Sequence, residues 1–457
     1  MDINNKNILV YGLGVSGIST MKTLANYDCR LTLLEGKSKD ELKEGLREVE
    51  DIDFRGIYAG DSLDLDGIDL IVKSPGIPPS NSVLLEARER QIDIITDLEL
   101  GFKLSNTENI IAITGTNGKT STTTLVGEIF RQAGNQTYVC GNIGIGILDT
   151  MAKTIAGDIV AIECSSFQLE DTIDFKPRVA ILINISPDHI NWHGSYENYI
   201  ESKLKIYRNQ DEYDLAVINY DDQLLVERTG GLRSQKLYFS TRQKLEEGVY
   251  IDQGFIVYKT GGQARKIART KDLDIFLENA LAAVAAGIFL GVEDGAIGKA
   301  LEEFKALPHR MEYVTRINNI DFYNDSKGTN PDSTMAALEK IEGDITLIAG
   351  GYDKGSDFRE LLTRARTRVE NLILLGQTRE LIYRQALELG YKNIYRLDSM
   401  EEAVAKSLEL SHEGMVVLLS PACASWGMYE NFEERGDHFK DLVERAKVDE
   451  NAKRQAD

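Results

Sequence analysis

A glycine-rich loop with a lysine and a threonine lies between a short aliphatic strand and a helix. The strand Asn109–Ile113 is followed by Thr-Gly-Thr-Asn-Gly-Lys-Thr at 114–120, and Ser121–Gln132 has a helical pattern. In this layout backbone N–H groups can cradle phosphates, Lys119 can neutralise phosphate oxygens, and the Thr120 hydroxyl can bind Mg²⁺. The isoleucine that ends the strand stands where the spacing G-x-x-x-x-G-K-[ST] has its first glycine, and a glycine turn with a surface lysine is the alternative. The pattern favours a nucleoside-triphosphate site.

Two further strands lead into side chains that can bind a metal ion. Glu163 ends the apolar run Ile159–Ile162, and Asp188 and His189 follow the run Val179–Ile183. Since the carboxyl ends of parallel strands meet at one edge of a sheet, Glu163 and His189 are expected near the glycine loop, where the Glu163 carboxylate could hold Mg²⁺. Taken singly, such acids can cap a turn or a helix, and a lone histidine is more often structural.

Another glycine-rich loop, the first glycine loop of the chain, lies near its beginning at residues 12–17. The strand Ile8–Tyr11 runs into Gly-Leu-Gly-Val-Ser-Gly at 12–17, and Glu35 follows the next strand. The spacing G-x-G-x-x-G is typical of dinucleotide-binding folds, where the glycines allow a tight turn and close approach of a phosphate. Any nucleotide diphosphate could use the same helix N-terminus, and the glycines could also serve the turn alone. The loop Lys73–Pro79 follows another strand and falls on the same sheet edge.

The last third of the chain contains a candidate anion site. The run Asn-Asp-Ser-Lys-Gly-Thr-Asn at 324–330 follows a strand and precedes a helix with Pro331 at its first position. A helix N-terminus that carries a lysine and hydroxyl groups can bind an anion, and an ordinary capped helix is the equal alternative. The basic turn Leu307–Glu312 precedes this region.

The elements between these loops alternate short aliphatic strands with amphipathic helices, which is typical of parallel sheets. The alternation restarts near Asn109 and again after Pro308, and Tyr250–Tyr258 has the pattern of a hairpin. The sequence therefore predicts an α/β protein of three domains. These are an N-terminal Rossmann-like domain at 1–98, a central P-loop-type domain at 99–306 and a C-terminal Rossmann-like domain at 307–457.

Composition excludes several classes of protein. The 457 residues fit about three domains at roughly 150 residues each. With 52 Lys and Arg against 73 Asp and Glu, the formal charge of −21 disfavours nucleic-acid binding. The longest apolar stretch, Asn279–Val292, is too short to span a bilayer, and the polar start is not a signal peptide. Four widely spaced cysteines indicate neither a zinc site nor a disulfide framework, which fits a cytoplasmic protein. We also expect a monomer without nucleic-acid or membrane partners.

The loop at 114–120 resembles the ATP loop of the Mur ligases and of the related folylpolyglutamate synthetases. These are three-domain enzymes that form amide bonds with ATP, and the resemblance extends over essentially the whole chain. The segments Lys-Leu-Lys-Ile at 203–206, Leu-Pro-His-Arg-Met-Glu at 307–312 and Gly-Gly-Tyr-Asp-Lys at 350–354 also resemble family motifs. The resemblance implies that ATP and Mg²⁺ are needed, and that the first glycine loop serves a UDP-linked precursor.

The resemblance also implies which residues form the sites. The catalytic residues would be Lys119, Glu163, His189 and Lys203, and the metal ligands would be Thr120, Glu163, His189 and Lys203, the last as a carbamate formed from CO₂. The ATP-binding residues would be Gly115, Thr116, Asn117, Gly118, Lys119, Thr120, Ser121, Asn279, His309, Arg310 and Asp325. The residues for the UDP precursor would be Gly14, Val15, Ser16, Glu35, Gly36, Lys37, Ser74, Pro75, Gly76, Asn142 and Ser165. The residues for D-glutamate would be Lys327, Thr329, Lys354, Ser425 and Phe432.

Three segments of the last domain resemble the branch of the family that adds D-glutamate. They are the run at 324–330, Ser-Pro-Ala-Cys-Ala-Ser at 420–425 and Asn-Phe-Glu-Glu-Arg-Gly at 431–436, whereas Trp426–Tyr429 departs from that branch's pattern. The resemblance implies a ligase that joins D-glutamate to UDP-N-acetylmuramoyl-L-alanine through an acyl phosphate, in the synthesis of peptidoglycan precursors.

Three other functions are alternatives to this expectation. A folate-type polyglutamate ligase would share the loop at 114–120 but would not need the glycine loop at 12–17. A nicotinamide oxidoreductase would explain the glycine loop at 12–17 but not the loop at 114–120. A noncatalytic nucleotide-binding switch would need no amino-acid site in the last domain.

Overall fold

The computed structural model describes residues 3–143 and 145–456. The chain forms two compact units, Met1–Phe304 and Lys305–Asp457. The predicted boundaries at 98/99 and 306/307 stay predictions. Within the described residues, no helix combines the length and the apolar character that crossing a membrane requires.

The first unit begins with an all-parallel sheet. Its elements are β1 (Asn7–Tyr11), α1 (Val15–Leu24), β2 (Arg30–Leu34), α2 (Lys43–Arg47), β3 (Phe54–Ile57), β4 (Leu70–Lys73), α3 (Ser82–Glu89), β5 (Asp93–Ile95) and α4 (Asp97–Leu104). The strand order is β3-β2-β1-β4-β5, so the order reverses next to β1. Ligands bind at such a reversal, outside the carboxyl ends of the strands. The glycine loop at 12–17 lies at this point.

A larger sheet follows in the same unit. Its strands are β6 (Ile110–Thr114), β7 (Thr137–Gly141), β8 (Ile159–Glu163), β9 (Val179–Leu182), β10 (Leu215–Asn219), β11 (Gln235–Ser240), β12 (Gly248–Asp252), β13 (Phe255–Thr260) and β14 (Gln263–Arg269). Its helices are α5 (Lys119–Gln132), α6 (Ile147–Met151), α7 (Ser166–Glu170), α8 (Ile190–His193), α9 (Tyr196–Leu204), α10 (Gln223–Arg228), α11 (Leu277–Phe289) and α12 (Asp294–Glu303). The strand order is β14-β13-β12-β11-β10-β9-β6-β8-β7, which places β6 between β8 and β9.

The predicted hairpin is confirmed, because β12 and β13 pair antiparallel from Asp252↔Phe255 outwards. Gln253 and Gly254 form its two-residue turn with φ of 48° and 76°, as the right-handed twist of paired strands requires. Strand β14, which is not predicted from the sequence, pairs with β13, and its side chains are largely exposed. An exposed edge strand lacks the apolar alternation from which strands are recognised.

The second unit is built on a mixed sheet. Its elements are β15 (Glu312–Ile317), β16 (Ile320–Asn324), α13 (Pro331–Lys340), β17 (Ile345–Gly350), α14 (Arg359–Ala365), β18 (Val369–Leu375), α15 (Arg379–Glu388), β19 (Ile394–Arg396), α16 (Met400–Leu410), β20 (Val416–Leu419) and α17 (Phe432–Ala456). The order is β15-β16-β20-β17-β18-β19, with β15 antiparallel to β16 and the other pairs parallel. The predicted α/β fold class is confirmed.

Candidate active site

The phosphate loop joins the buried strand β6 to α5. The helix begins at Lys119, earlier than the sequence predicted, so Lys119, Thr120 and Ser121 all lie in its first turn. Gly118, at the N-cap, has φ of +84°, and a Cβ there would lie 2.2 Å from Asn279 Oδ1. Only glycine fits this backbone and this approach of α11. A helix N-terminus of this kind is suited to an anion, and Lys119 lies in the same turn.

The backbone of the phosphate loop is anchored by the segment that follows β9. Thr116 N–H donates to the Asn184 carbonyl over 3.0 Å, and Asn117 N–H donates to Asn184 Oδ1 over 2.9 Å. The Thr116 hydroxyl accepts from Ser186 N–H at 3.0 Å and lies 3.0 Å from the Tyr199 hydroxyl. The loop is thus fixed in shape before any ligand binds.

Two lysines meet at one carbonyl oxygen of this loop. Lys119 Nζ donates to Gly115 O and to Thr116 O over 2.9 Å each, and Lys203 Nζ, from α9, donates to Gly115 O over 2.8 Å. Lys203 is only 2% exposed. Burial lowers the pKa of Lys203 well below its usual value, and the charge of Lys119 lowers it further. The neutral amine of Lys203 is therefore favoured.

Glu163 ends β8 beside β6 and carries an oxygen that lacks a donor. Its Oε1 accepts from Asn142 Nδ2 at 3.1 Å, while Oε2 is buried without a hydrogen-bond partner among the described residues. A buried carboxylate oxygen without a donor is costly, and a hard cation would satisfy it. Glu163 therefore fits a role as a ligand of Mg²⁺.

His189 lies at the start of α8 with φ of +54°. Its Nε2 is 3.5 Å from Asp188 Oδ2, and its ring packs edge-on against Phe167 at 4.8 Å. No cluster of three or more His, Cys, Asp or Glu side chains in the described part of the chain is arranged to hold a metal ion. A cation beside Glu163 would therefore need ligands of other types, such as the Thr120 hydroxyl.

The first glycine loop has the close approaches that its spacing requires. Gly12 has φ of +96°, and a Cβ there would lie 2.6 Å from Ser74 Oγ. A Cβ on Gly17 would lie 1.9 Å from the Gly12 carbonyl oxygen, whereas a Cβ on Gly14 would meet open space. Glu35 accepts hydrogen bonds from Leu13 N–H and Gly36 N–H over 2.8 Å each. Its carboxylate holds the glycine loop in place.

A cavity of about 360 Å³ lies in the same unit, between the first glycine loop and the second sheet. It is lined by six of the residues predicted for the UDP precursor, namely Val15, Ser16, Pro75, Gly76, Asn142 and Ser165. Of the described residues, the other five predicted for the UDP precursor do not line this cavity; they are Gly14, Glu35, Gly36, Lys37 and Ser74. The indole N–H of Trp192 donates to the Gly76 carbonyl over 3.0 Å, which ties one wall to the segment that carries His189.

The five residues predicted for D-glutamate lie in the second unit. Lys327 and Thr329 follow β16, Lys354 follows β17 and Ser425 follows β20, while Phe432 begins α17. Because β16, β20 and β17 are neighbours in the sheet, three of the loops emerge side by side at its carboxyl edge. Lys327 Nζ lies 5.1 Å from the centre of the Phe432 ring, and Lys354 Nζ lies 5.6 Å from that of Trp426. The edge therefore presents two ammonium groups against aromatic rings.

Arg435, on α17, joins two of these loops. It is 3% exposed, and its Nε and Nη2 donate to Ser326 Oγ and Ser326 O over 2.9 and 2.7 Å. Its Nη1 donates to Cys423 O over 3.1 Å. Burial lowers the pKa of Arg435 to about 10. The guanidinium remains charged at neutral pH and fixes the neighbours of Lys327 and Ser425.

The remaining residues predicted for ATP form a cluster of the second unit. Asp325 accepts from Ser420 Oγ at 2.7 Å and from Met311 N–H at 3.2 Å. Burial raises the pKa of Asp325 to about 6, against the charge of Arg310. His309 Nδ1 lies 3.0 Å from Asn324 Nδ2, and burial lowers the pKa of His309.

Several residues that fix the loops of these sites are not predicted from the sequence, among them Asn184, Trp192, Glu278 and Arg435. Each acts on a loop that is distant along the chain. Asn184 Nδ2 donates to Glu278 Oε2 across 94 residues, and the Ser326–Arg435 pair spans 109. No local spacing signals such a contact.

Models of three related domains match this chain in order. The Mur ligase MurD-like N-terminal domain matches residues 6–96, the Mur ligase middle domain 113–287 and the glutamate ligase domain of Mur ligases 309–423. The chain belongs to the Mur ligase family. The family prediction is therefore confirmed, and with it the assignment of this chain to a family of ATP-dependent ligases.

Relatives within the Mur ligase family match almost the whole chain. A protein of Alkaliphilus oremlandii named UDP-N-acetylmuramoylalanine–D-glutamate ligase is 43% identical over 451 residues, covering 97% of this chain and 99% of that protein. A protein of the same name from Clostridioides difficile is 42% identical over 452 residues, covering 98% and 100%.

Solved structures show the same fold at much lower identity. A MurF ligase of Thermotoga maritima in complex with ADP aligns with a TM-score of 0.60 at 16% identity, covering 98% of this chain and 100% of that one. MurF of Acinetobacter baumannii aligns with a TM-score of 0.62 at 17% identity, covering 96% and 93%.

Proposed function

We propose that this Mur ligase adds D-glutamate to UDP-N-acetylmuramoyl-L-alanine at the expense of ATP, as a step of peptidoglycan precursor synthesis. The use of ATP is supported above all by one observation. A pre-shaped phosphate loop holds Lys119 at its edge, and the buried Lys203 reaches the same carbonyl. The choice of substrates is supported by the relatives that match the chain over nearly its full length.

The chemistry has two steps. The L-alanine carboxylate of the precursor attacks the γ-phosphorus of ATP, so that a C–O–P bond forms, the bond to ADP breaks and ADP leaves. The amine of D-glutamate then attacks the carbonyl carbon of this acyl phosphate, loses a proton, and expels inorganic phosphate as the amide forms. Phosphoryl transfer depends mostly on positioning and charge neutralisation, which suits the first-turn N–H groups of α5 and the ammonium of Lys119.

The first unit also has residues that would suit Mg²⁺. Thr120, Glu163 and His189 would hold the ion, together with Lys203 once its amine has become a carbamate. Bound there, Mg²⁺ would offset the negative charge of the phosphates. The unpartnered Oε2 of Glu163 supports this role, and the neutral amine favoured at Lys203 is the form that reacts with CO₂.

The other binding roles follow the same assignment. The UDP part of the precursor would occupy the cavity beside the first glycine loop, with its phosphates at the N-terminus of α1. D-glutamate would use the carboxyl edge of the second unit, where its two carboxylates meet Lys327 and Lys354. We further infer a cytoplasmic enzyme that acts as a monomer, and the free thiols of its cysteines fit a reducing compartment.

The test is phosphate release from ATP with UDP-N-acetylmuramoyl-L-alanine and one amino acid at a time. D-glutamate should give the highest rate, and Lys119→Ala should abolish release while the precursor still binds. A better amino acid than D-glutamate would refute the substrate assignment alone. Release that required a folate in place of the UDP precursor would favour the folate-type ligase.

A further inference from the structure

We propose that Glu278 is a positioning residue of the ATP site, which sets the shape of the phosphate loop through the side chain of Asn184. Glu278 lies in the first turn of α11, directly before Asn279. It does not belong to the loop, and its effect passes through two amide side chains. The inference rests on the proposed function only in taking ATP as the nucleotide.

The first link runs from Glu278 to the phosphate loop. Asn184 Nδ2 donates to Glu278 Oε2 over 3.0 Å, and Asn184 Oδ1 accepts from Asn117 N–H over 2.9 Å. A side-chain amide has one donor end and one acceptor end. Glu278 occupies the donor end of Asn184, so the acceptor end must face the loop.

A second link secures the same segment from the other side. Asn219 Nδ2 donates to Glu278 Oε1 over 2.5 Å and to the Ile183 carbonyl over 3.0 Å. Ile183 directly precedes Asn184, so the carboxylate holds both the side chain of Asn184 and, through Asn219, the backbone before it. Both carboxylate oxygens of Glu278 are thus used as acceptors.

The choice of a carboxylate over a neutral amide matters here. An ionised carboxylate only accepts hydrogen bonds, and both of its oxygens accept one here. Glutamine has one oxygen and one NH₂ group, so it could accept from only one of the two asparagines. If its NH₂ group faced Asn184, that side chain would turn and present its own NH₂ to Asn117 N–H. Two donors would then face each other, and the loop would lose its anchor.

The other reading is that Glu278 only stabilises the helix N-terminus where it lies, as acidic residues in a first turn commonly do. That role concerns α11 and makes no demand on Asn184. It predicts a loss of stability without a matching loss of nucleotide affinity. The two readings therefore differ in a quantity that can be measured.

The experiment compares ADP binding by calorimetry at roughly pH 8, where Glu278 is ionised, for the wild type, Glu278→Gln and Asn184→Ala. The matched control is Glu302→Gln, an exposed glutamate on α12. We expect Glu278→Gln to weaken ADP binding about tenfold, as the loss of one buried hydrogen bond implies. The control should bind ADP normally, and the Michaelis constant of Glu278→Gln for the UDP precursor should change little.

The double variant decides whether Glu278 acts through Asn184. If it does, adding Glu278→Gln to Asn184→Ala should cause little further loss of affinity. Fully additive losses would overturn the inference, as would ADP binding by Glu278→Gln equal to that of wild type. Should Glu278→Gln fail to fold, wild-type affinity in Asn184→Ala would overturn it equally. If the wild type itself bound neither ADP nor ATP, the proposed function would fall as well.

Discussion

Lys119 and Lys203 approach the carbonyl oxygen of Gly115 from two different helices. Two ammonium groups so placed repel each other, and burial adds a further cost for the charge on Lys203. This repulsion is removed when Lys203 is neutral or when Lys203 becomes an anion. A carbamate on Lys203 would turn this repulsion into an attraction toward Lys119.

Carbamylation of Lys203 is therefore our first prediction. Protein incubated with ¹³C-bicarbonate should show a carbamate carbon signal by NMR, and Lys203→Ala should lack it. Lys205→Ala is the matched control, because Lys205 is the next lysine along and is paired with Glu170. An active wild-type protein without the signal would refute this role of Lys203.

A second prediction concerns pH and Glu278. Burial raises the pKa of Glu278 to about 7, and the charges of Asp221 and Asp222 act in the same direction. Hydrogen bonds from Asn184 and Asn219 oppose this shift. Since the group accepts from both asparagines only when ionised, its support of the phosphate loop is present above about pH 7 and is lost as the pH falls through that value.

The measurement is the ratio of the ADP dissociation constants of Glu278→Gln and wild type. The ratio should be about tenfold at roughly pH 8 and should approach one at roughly pH 6, where the wild-type carboxyl is protonated. Taking a ratio at each pH cancels the titration of the nucleotide itself. A ratio independent of pH would contradict the role of ionised Glu278.

At the scale of elements, the carboxyl edge of the second unit depends on the contact between α17 and two loops. Arg435 donates to Ser326, which directly precedes Lys327, and to Cys423, which lies two residues before Ser425. Ser326 Oγ also donates to the Phe432 carbonyl over 2.8 Å. One guanidinium thus determines the spacing of the groups proposed to bind D-glutamate.

Arg435→Lys should therefore affect both stability and amino-acid binding. A lysine cannot reach all three acceptors, and each lost charged hydrogen bond costs about 1.5–3 kcal/mol. We expect the free energy of unfolding to fall by about 2 kcal/mol or more, and the Michaelis constant for D-glutamate to rise. Arg445→Lys, an exposed position on the same helix, is the control. An unchanged Michaelis constant in a destabilised Arg435→Lys would limit the arginine to a structural role.

Lys327, at the loop before α13, provides a separate prediction. If its ammonium binds a carboxylate of D-glutamate, Lys327→Ala should raise the Michaelis constant for D-glutamate about tenfold or more. The constants for ATP and the UDP precursor should change much less. Lys392→Ala, an exposed lysine of the same unit, is the matched control. An equal rise for ATP would assign Lys327 to nucleotide binding instead.

The elements that sequence could predict are those with a local signal. The phosphate loop at 114–120 has its glycines, lysine and threonine within seven residues, and the structure indeed joins β6 to α5 there. The strands with buried aliphatic runs were predicted for the same reason. The exposed strand β14 was missed. The links from Glu278 to Asn184 and from Arg435 to Ser326 were also missed, because only the folded chain brings such distant residues together.

At the scale of the whole molecule, three sheets follow one another along a chain that matches Mur ligases over its length. In the first unit, the first glycine loop and the phosphate loop each follow the carboxyl end of a parallel strand, β1 in one sheet and β6 in the other. In the second unit, the loops with Lys327, Lys354 and Ser425 lie at the carboxyl edge of the third. Three substrates and three such edges match in number, as expected of an enzyme that joins an acid to an amine with ATP.

The most direct test of this account follows one oxygen atom through the reaction. UDP-N-acetylmuramoyl-L-alanine with ¹⁸O at both oxygens of its alanine carboxylate is incubated with ATP, D-glutamate and the enzyme, and all products are analysed by mass spectrometry. If an acyl phosphate forms, each inorganic phosphate released carries one ¹⁸O from the carboxylate, and the UDP product gains one glutamate residue. Phosphate without ¹⁸O, or ¹⁸O found in AMP, would contradict the account.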